Sequence, residues 1–306
     1  MNRRKMKQVL IVGSGDVARR IIPWLARRFR VCAVVRRPEE RAALRALGAR
    51  ALVADLDQPS SLGRLAGIAD YVLHCAPPPA TGQGDPRTGR LLAALQHRGS
   101  LPRRLIYIST TGVYGDCGGD WLDETRSLRP TSARGARRVA AEGLLRRFGR
   151  RTGCRVSLLR APGIYDSAER LPLARLHKGE PVLRAEDDVF TNHIHADDLA
   201  AACLAALRRP QAGRAYNVVD DSDLKMAAYF DCVADAFGLP RPPRLSREDA
   251  ARVLSPLQMS FMRESRRIGN ARLKKELGVH LAYPTIAAGI AAAQAIKHSE
   301  GSSCSS

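Results

Sequence analysis

Aromatic residues are scarce in this chain of 306 residues, and acidic residues are outnumbered by basic ones. Phe, Trp and Tyr make up 5% of the sequence, and 50 Lys and Arg stand against 30 Asp and Glu, which gives a formal net charge of +20. Such a charge attracts polyanions. However, the arginines are spread over almost every predicted helix, and no cluster of rings is present on which bases could stack. We therefore predict no nucleic-acid partner, whereas an anionic substrate is compatible with the charge.

The sequence also lacks paired cysteines and long apolar runs. Its seven cysteines form no C-x-x-C pair and show no metal-ligand spacing. An odd number of scattered cysteines is typical of reduced thiols in a cytoplasmic protein, and no metal site is predicted. The apolar run after the basic residues 1–5 is broken at residues 13–16. We therefore expect neither an export signal nor a membrane span, and we predict a cytoplasmic location.

A glycine-rich turn stands near the start of the chain, between a short apolar strand and a helix. Residues 9–12 form a continuous aliphatic run, as a buried parallel strand requires, and the spacing G-x-G-x-x-A follows. The first glycine permits a tight turn, the second lets a ligand approach bare backbone, and free N–H groups at the helix start suit a pyrophosphate. The pattern predicts a dinucleotide site at Gly13, Ser14, Gly15, Asp16 and Val17. The alternative is an ordinary glycine turn of an α/β protein.

The second predicted strand, residues 29–35, ends in two arginines with no acidic residue beside them. In a dinucleotide fold this point lies near the adenosine ribose. A carboxylate there binds the 2′-hydroxyl, whereas an arginine accommodates a 2′-phosphate. Arg36 and Arg37 therefore favour NADP over NAD as the cofactor, with NAD as the second choice. The alternative is two ordinary surface arginines in a basic chain.

Two further strand ends complete the predicted cofactor edge. The third predicted strand is followed by Asp55 and Leu56, where the adenine would lie, and the fourth by Ala76 and Pro77, a rigid edge beside the cofactor. Strands alternate with helical segments, which predicts right-handed βαβ crossovers and a parallel sheet. The fold class is therefore α/β: a doubly wound parallel sheet of the Rossmann type with a smaller C-terminal lobe. Helices are predicted in that lobe over residues 226–237 and 256–267.

The fifth predicted strand carries the most specific motif, Ile-Ser-Thr-x-x-Val-Tyr-Gly, over residues 108–115. This motif resembles the extended short-chain dehydrogenase/reductases, and within them the NAD-dependent epimerase/dehydratase family. Three later segments are similar to that family as well: residues 122–125, 158–165 and 192–200. The resemblance covers residues 6–298.

The resemblance implies roles for several residues. Ser109, Thr110 and Pro162 would line the cofactor, and Thr110 matches the family's catalytic serine or threonine. Tyr114 is a phenol close to the expected site and is a second candidate catalytic residue. The alternative for Thr110 is a strand-end hydroxyl that hydrogen-bonds local backbone. The alternative for Tyr114 is a phenol that belongs to the scaffold.

The resemblance also implies a division of the chain. Residues 6–165 would form the dinucleotide-binding core and residues 166–298 mostly the substrate lobe, with residues 192–220 returning to the core. His193 and His195 are expected mainly to fasten the lobe. Residues 299–306 are low in complexity, and we expect them to be disordered.

One departure from the family pattern concerns its chemistry. The family carries a Tyr-x-x-x-Lys pair with a glutamate four residues beyond the lysine. With Glu142 as that glutamate, Arg134 stands at the tyrosine position and Arg138 at the lysine position, and residues 131–142 contain no tyrosine. Arginine stays protonated near neutral pH and cannot replace the tyrosine as an acid/base. Arg138 remains a candidate catalytic residue at the lysine position, where it could hold a ribose or phosphate.

We therefore predict an NAD(P)-binding oxidoreductase or epimerase/dehydratase that prefers NADP and transfers a hydride to or from a small polar or anionic substrate. The alternative is a non-catalytic NAD(P)-binding sensor or regulatory protein, and it is motivated by the missing Tyr-Lys pair. A homodimer is compatible with the family resemblance.

Overall fold

The computed structural model describes residues 6–97, 101–166 and 168–303. Over these residues the strands are β1 (Gln8–Val12), β2 (Arg30–Val35), β3 (Ala49–Val53), β4 (Tyr71–His74), β5 (Arg104–Thr110), β6 (Trp121–Leu122), β7 (Arg155–Ala161), β8 (Gly163–Tyr165), β9 (Val182–Leu183), β10 (Phe190–Thr191), β11 (His193–His195), β12 (Arg214–Asn217), β13 (Leu224–Lys225), β14 (Arg244–Leu245) and β15 (Arg267–Ile268). The α-helices are α1 (Asp16–Ala26), α2 (Arg41–Ala46), α3 (Pro86–Gln96), α4 (Ala133–Thr152), α5 (Leu173–His177), α6 (Ala196–Arg208), α7 (Met226–Ala236), α8 (Arg247–Val253), α9 (Pro256–Phe261), α10 (Ala271–Leu277) and α11 (Ile286–Ser303). Short 3-10 helices are Pro38–Glu40, Pro59–Leu65, Thr111–Val113 and Ala168–Arg170.

Seven strands form one sheet in the order β12-β7-β5-β4-β1-β2-β3. Every neighbouring pair in it is parallel. The strand order reverses between β1 and β4, and in open α/β sheets the ligand crevice lies outside the carboxyl ends of the strands at such a switch point. The predicted fold class, a doubly wound parallel sheet of the Rossmann type, is confirmed.

Both faces of the sheet are covered, because alternate residues of each strand point to opposite sides. In β1, Val9 and Ile11 belong to the core beneath α1 and α6, whereas Leu10 and Val12 belong to the core beneath α3 and α4. All four side chains are at most 1% exposed. This two-sided burial explains why the strand is a continuous aliphatic run.

The C-terminal lobe has a core of its own around α7 and α11, which includes Phe230, Ile286 and Ile290. It is joined to the sheet through β11, which pairs in parallel with β8. His193 packs on the ring of Tyr229 with ring centroids 4.1 Å apart. His195 stacks on the ring of Tyr283, with ring centroids 3.7 Å apart. Both histidines therefore lie among lobe aromatic side chains.

The chain returns from the lobe to the core twice. β12 adds the last strand beside β7, and Leu273 and Leu277 of α10 are buried in the core beneath α6. The predicted return over residues 192–220 does not include α10, and the domain limits themselves stay a prediction.

Two predicted segments differ from the structure. The predicted helix over residues 256–267 ends at Phe261, because the backbone that follows pairs with β6, where Arg267 is opposite Trp121. This tertiary pairing overrides the local helical pattern. Residues 299–303 belong to α11 rather than to a disordered tail, since the helix begun in the alanine-rich part continues through them. Residues 304–306 lie outside the described residues. In the described part of the chain, no helix is long and apolar enough to span a membrane.

Candidate functional site

The glycine turn between β1 and α1 is pressed against the end of β4. Gly13 has a φ of +94°, and a Cβ there would lie 2.4 Å from the backbone nitrogen of Ala76. By contrast, a Cβ on Gly15 would have nothing within 4 Å. Gly15 also precedes α1 without any side-chain cap for the helix N–H groups. The turn therefore combines a fixed backbone with open space over free N–H donors, which fits a pyrophosphate.

The side chains around this turn fix it in place. The Ser14 hydroxyl donates to the Val34 carbonyl oxygen over 2.6 Å and so ties the turn to the end of β2. The Asp16 carboxylate accepts from Arg20 Nε at 3.0 Å and lies 3.4 Å from Arg170 Nη1. Its negative charge is thus compensated by two guanidinium groups, so it opposes a bound anion less.

The two arginines after β2 differ in their surroundings, although both are exposed. Arg37 Nε lies 2.8 Å from Glu40 Oε1 and 3.7 Å from Glu39 Oε1. Arg36 forms no ion pair with any residue in the described ranges. Of these two arginines, Arg36 is therefore the one whose guanidinium is free for an added phosphate.

A clasp of Asp57 and Arg87 joins the loops after β3 and β4. Arg87 Nη2 lies 2.5 Å from Asp57 Oδ2, and its Nη1 donates to the Pro77 carbonyl oxygen over 3.2 Å. Arg90 of the same helix donates to the Leu56 carbonyl oxygen over 3.1 Å. The hydrogen bond from Arg87 lowers the pKa of the Asp57 carboxyl. Sequence reasoning missed this clasp, because its arginine lies on α3, far from its partner in the chain.

Other predicted cofactor residues lie at the same edge of the sheet. The Ala76 backbone N–H donates to the Val12 carbonyl oxygen over 3.0 Å. Asp55 accepts from the backbone N–H of Asp57 over 2.9 Å and shapes the loop after β3. Pro162 follows the end of β7 and is half-buried. Val17, the second residue of α1, packs against the core beneath that helix. The strand order thus brings residues from distant parts of the chain to one edge: Gly13, Ser14, Gly15, Asp16, Arg36, Asp55, Leu56, Ala76, Pro77 and Pro162.

Tyr114 does not face this edge as a free phenol. It is 1% exposed; its hydroxyl donates to Asn217 Oδ1 over 2.6 Å and accepts from Arg160 Nη1 over 2.8 Å. Burial raises its pKa to about 12. The catalytic role that the sequence suggested is therefore corrected: both hydrogen-bonding positions are used inside the protein, so we assign Tyr114 to the scaffold.

Ser109 and Glu142 belong to the same buried network. The Ser109 hydroxyl donates to Glu142 Oε1 over 2.7 Å, and Glu142 Oε2 lies 2.8 Å from Arg160 Nη2. The Ser109 side chain is thus committed to α4 rather than to the cofactor edge. The sequence offered one signal for this network, the position of Glu142 in the family pattern.

Thr110 remains a hydroxyl near the expected substrate position. Its Oγ1 accepts from the backbone N–H of Gly112 over 3.2 Å and caps the short helix that follows β5. Within the described residues no acceptor is found for its own hydroxyl hydrogen. Thr110 can therefore satisfy local backbone and still donate to a substrate oxygen.

Two arginines of the first turns of α4 make fixed contacts. Arg138 Nη1 donates to the Ile108 carbonyl oxygen over 2.7 Å and to the Tyr107 hydroxyl over 2.8 Å. The guanidinium carbon of Arg134 lies 4.9 Å from the centre of the Phe261 ring. Arg138 is therefore held against β5, and Arg134 reaches α9 of the lobe.

The model of the NAD dependent epimerase/dehydratase family matches residues 9–219, which is more than half of the chain. The chain belongs to this family. A functionally unknown conserved protein from Silicibacter pomeroyi DSS is 32% identical, with a TM-score of 0.79, over 95% of this chain and 99% of that one. No curated protein gives a significant match.

Two epimerases share the fold of this family member at lower identity. UDP-glucose 4-epimerase from Thermotoga maritima, solved with UDP-glucose, has a TM-score of 0.76 and 16% identity over 96% of this chain and 99% of that one. UDP-glucuronic acid 4-epimerase from Bacillus cereus, solved in complex with NAD, has a TM-score of 0.71 and 17% identity over 92% and 95%. Family membership assigns a nicotinamide dinucleotide to this protein, and the open turn at Gly15 fits such a group.

Proposed function

We propose that this epimerase/dehydratase family member prefers NADP and is an oxidoreductase that transfers a hydride to or from a small polar or anionic substrate. The observation that carries the proposal is the uncapped start of α1 at Gly15, with Arg36 unpaired at the neighbouring strand end. A bound nicotinamide supplies the hydride chemistry. We further propose a cytoplasmic location, and a homodimer is compatible with the family.

Several residues at this edge of the sheet would contact the cofactor. The backbone N–H groups after Gly15 would hold the pyrophosphate. Arg36 would meet the 2′-phosphate, because a planar guanidinium binds phosphate oxygens in pairs. Asp55 and Leu56 would border the adenine, and Pro162 the nicotinamide end.

The substrate oxygen would be oriented by Thr110, whose hydroxyl hydrogen is not used inside the described part of the protein. A hydrogen bond to a carbonyl oxygen polarises it and favours hydride addition at the carbon. Helix α4 contains neither tyrosine nor lysine, the side chains that carry the reaction in this family. This absence favours a second candidate function, a nucleotide-binding sensor or regulatory protein without turnover.

Calorimetric titration with NADPH and NADH tests the cofactor assignment. We expect the wild type to bind NADPH more tightly, and Arg36→Ala to lose roughly tenfold in NADPH affinity, as expected when one charged hydrogen-bonding group is removed. Arg37→Ala is the matched control: its guanidinium already pairs with Glu40, so its loss should change NADPH affinity less. Equal affinity of the wild type for both cofactors would overturn the NADP preference.

Turnover is tested separately with a panel of carbonyl compounds and sugar nucleotides, followed at the nicotinamide absorbance. Oxidation of NADPH that is lost in Thr110→Val supports the enzyme. Tight cofactor binding without any turnover supports the sensor instead.

A further inference from the structure

Three arginines occupy one side of the first turns of α4. Arg134, Arg137 and Arg138 are spaced i, i+3 and i+4, so their side chains are neighbours on the helix surface. Arg134 lies over an aromatic ring, and Arg137 donates to a backbone carbonyl oxygen. Arg138 donates to a hydroxyl and to a second carbonyl oxygen. Among the described residues none of the three has a carboxylate partner. Three positive charges therefore stand together without compensation.

The location of these charges at the N-terminus of the helix destabilises the folded protein further. The N-terminus of a helix carries a partial positive charge, so acidic side chains stabilise it and basic ones do not. The first turn of α4 contains no acidic residue, and Ser132 caps it with a neutral hydroxyl. A bound anion would compensate the positive charge at this helix start.

Arg137 provides the strongest single observation. It is only 9% exposed, and its Nη1 donates to the carbonyl oxygen of Gly82 over 3.2 Å. Buried guanidinium groups are normally paired with a carboxylate, because desolvation of an unpaired charge is unfavourable. Arg160 on β7 shows the normal case, with its buried partner Glu142 at 2.8 Å.

The three side chains reach three separate parts of the molecule. Arg137 contacts the loop after β4, Arg138 contacts β5, and Arg134 contacts Phe261 on α9 of the lobe. The first turn of α4 is itself pressed on the end of β5, since a Cβ on Gly135 would lie 2.6 Å from the Gly112 carbonyl oxygen. The helix turn that carries the arginines thus packs on Gly112, whose backbone N–H donates to Thr110 Oγ1. The proposed function places the reacting carbonyl at Thr110.

We propose that Arg134 and Arg137, supported by Arg138, bind an anionic group of the substrate, a carboxylate or a phosphate ester. The substrate is then a carbonyl or hydroxyl compound with this anionic group close to the reacting carbon. This inference rests on the proposed function, because it places the anion beside the hydride-transfer position. Arg134 at the family's tyrosine position is then a substrate-binding residue rather than an acid/base.

The test titrates inorganic phosphate and malonate into the full-length protein, with and without saturating NADPH, at constant ionic strength set by chloride. Thermal unfolding reports binding, because a ligand of the folded state raises the transition temperature. We compare the wild type with Arg134→Gln and Arg137→Gln. Arg147→Gln, which changes an exposed arginine further along α4, is the matched control.

We expect either anion to raise the transition temperature of the wild type and of Arg147→Gln, and the apparent affinity to fall roughly tenfold in Arg134→Gln and Arg137→Gln. The preferred anion, phosphate or malonate, assigns the substrate class. The anion-free Arg137→Gln protein should be at least as stable as the wild type, since an uncompensated buried charge is removed.

Two outcomes would overturn the inference: an equal anion response in all four proteins, or no response in any of them. A less stable Arg137→Gln protein with an unchanged anion response would instead give Arg137 a structural role. NADPH affinity is measured in the same samples. If the wild type does not bind NADPH, the proposed function is refuted. If it binds NADPH but shows no arginine-dependent anion response, only this inference is refuted.

Discussion

Arg160 and Glu142 form a buried ion pair that joins β7 to α4. Arg160 Nη2 lies 2.8 Å from Glu142 Oε2, Nε lies 3.1 Å from Oε1, and the two side chains are 3% and 2% exposed. The remaining hydrogen bonds of the pair go to Tyr114 and Ser109. The loop after β5 is thus tied to α4 and β7 through groups that water does not reach.

Removal of one partner should be far more harmful than removal of both. Glu142→Gln leaves the Arg160 charge buried without compensation, and we expect a loss of about 3–5 kcal/mol in the free energy of unfolding. Urea denaturation measures it. The double variant Glu142→Met/Arg160→Met should recover much of that loss. A Glu142→Gln protein as stable as the wild type would show that the pair is not needed.

The role of Tyr114 can be separated from that of Thr110. Tyr114→Phe leaves Asn217 Oδ1 and Arg160 Nη1 without a partner, and we expect a loss of about 1–3 kcal/mol in unfolding free energy. NADPH affinity should not change, because the phenol lies inside the scaffold. Urea denaturation and calorimetry check the two effects. If Tyr114→Phe were as stable as the wild type but had lost turnover, Tyr114 would take part in the reaction. Thr110→Val is the variant with which that turnover is compared.

The two glycines of the first turn should respond differently to alanine. Gly13→Ala places a Cβ against backbone atoms at a positive φ, so we expect loss of folded protein or a loss of several kcal/mol in stability. Gly15→Ala has free space and a φ of −74°, so the protein should fold normally. The added methyl group occupies the space above the helix start, and NADPH binding should weaken at least tenfold. Normal NADPH binding in Gly15→Ala would contradict a pyrophosphate at this turn.

Asp220 should make the stability of the protein depend on pH. Burial raises the pKa of its carboxyl from 3.8 to about 7, and among the described residues its buried Oδ2 has no hydrogen-bond partner. Between about pH 4 and 7 the folded protein keeps a proton that the unfolded chain has released, so this group lowers stability as the pH rises. Asp220→Asn should remove the effect, and its advantage over the wild type should grow with pH to at most about 4 kcal/mol.

Urea denaturation of both proteins from about pH 5 to 8 checks this prediction. Burial lowers the pKa of His193 to about 4, which has the opposite sign: stability is lost as the pH falls below the ordinary histidine value. His193 is present in both proteins, so its contribution cancels in the difference. A stability difference that is constant with pH would show that Asp220 does not titrate in this range.

The sheet could be predicted from local patterns, whereas the site could be predicted only in part. The aliphatic run of β1 and the spacing of Gly13 and Gly15 determine a buried strand and a tight turn through backbone geometry alone. The motif around Tyr114 could not show that its hydroxyl is held by Asn217, because that contact depends on the packing of β12 beside β7. The burial of Arg137 could not be predicted either, because the sequence does not distinguish it from the other arginines of α4. Sequence position identifies such a residue type, but its burial and partners depend on the fold.

The late return of β12 and α10 to the core has a consequence for biosynthesis. Until residue 217 has left the ribosome, β7 has an unpaired edge, and until residue 277 follows, the apolar side of α6 that contacts Leu273 and Leu277 is uncovered. Contacts between segments so distant in the chain close slowly, and exposed strand edges promote association between chains. We therefore expect rapid completion of synthesis, or chaperones that cover these surfaces, to limit aggregation of the nascent protein.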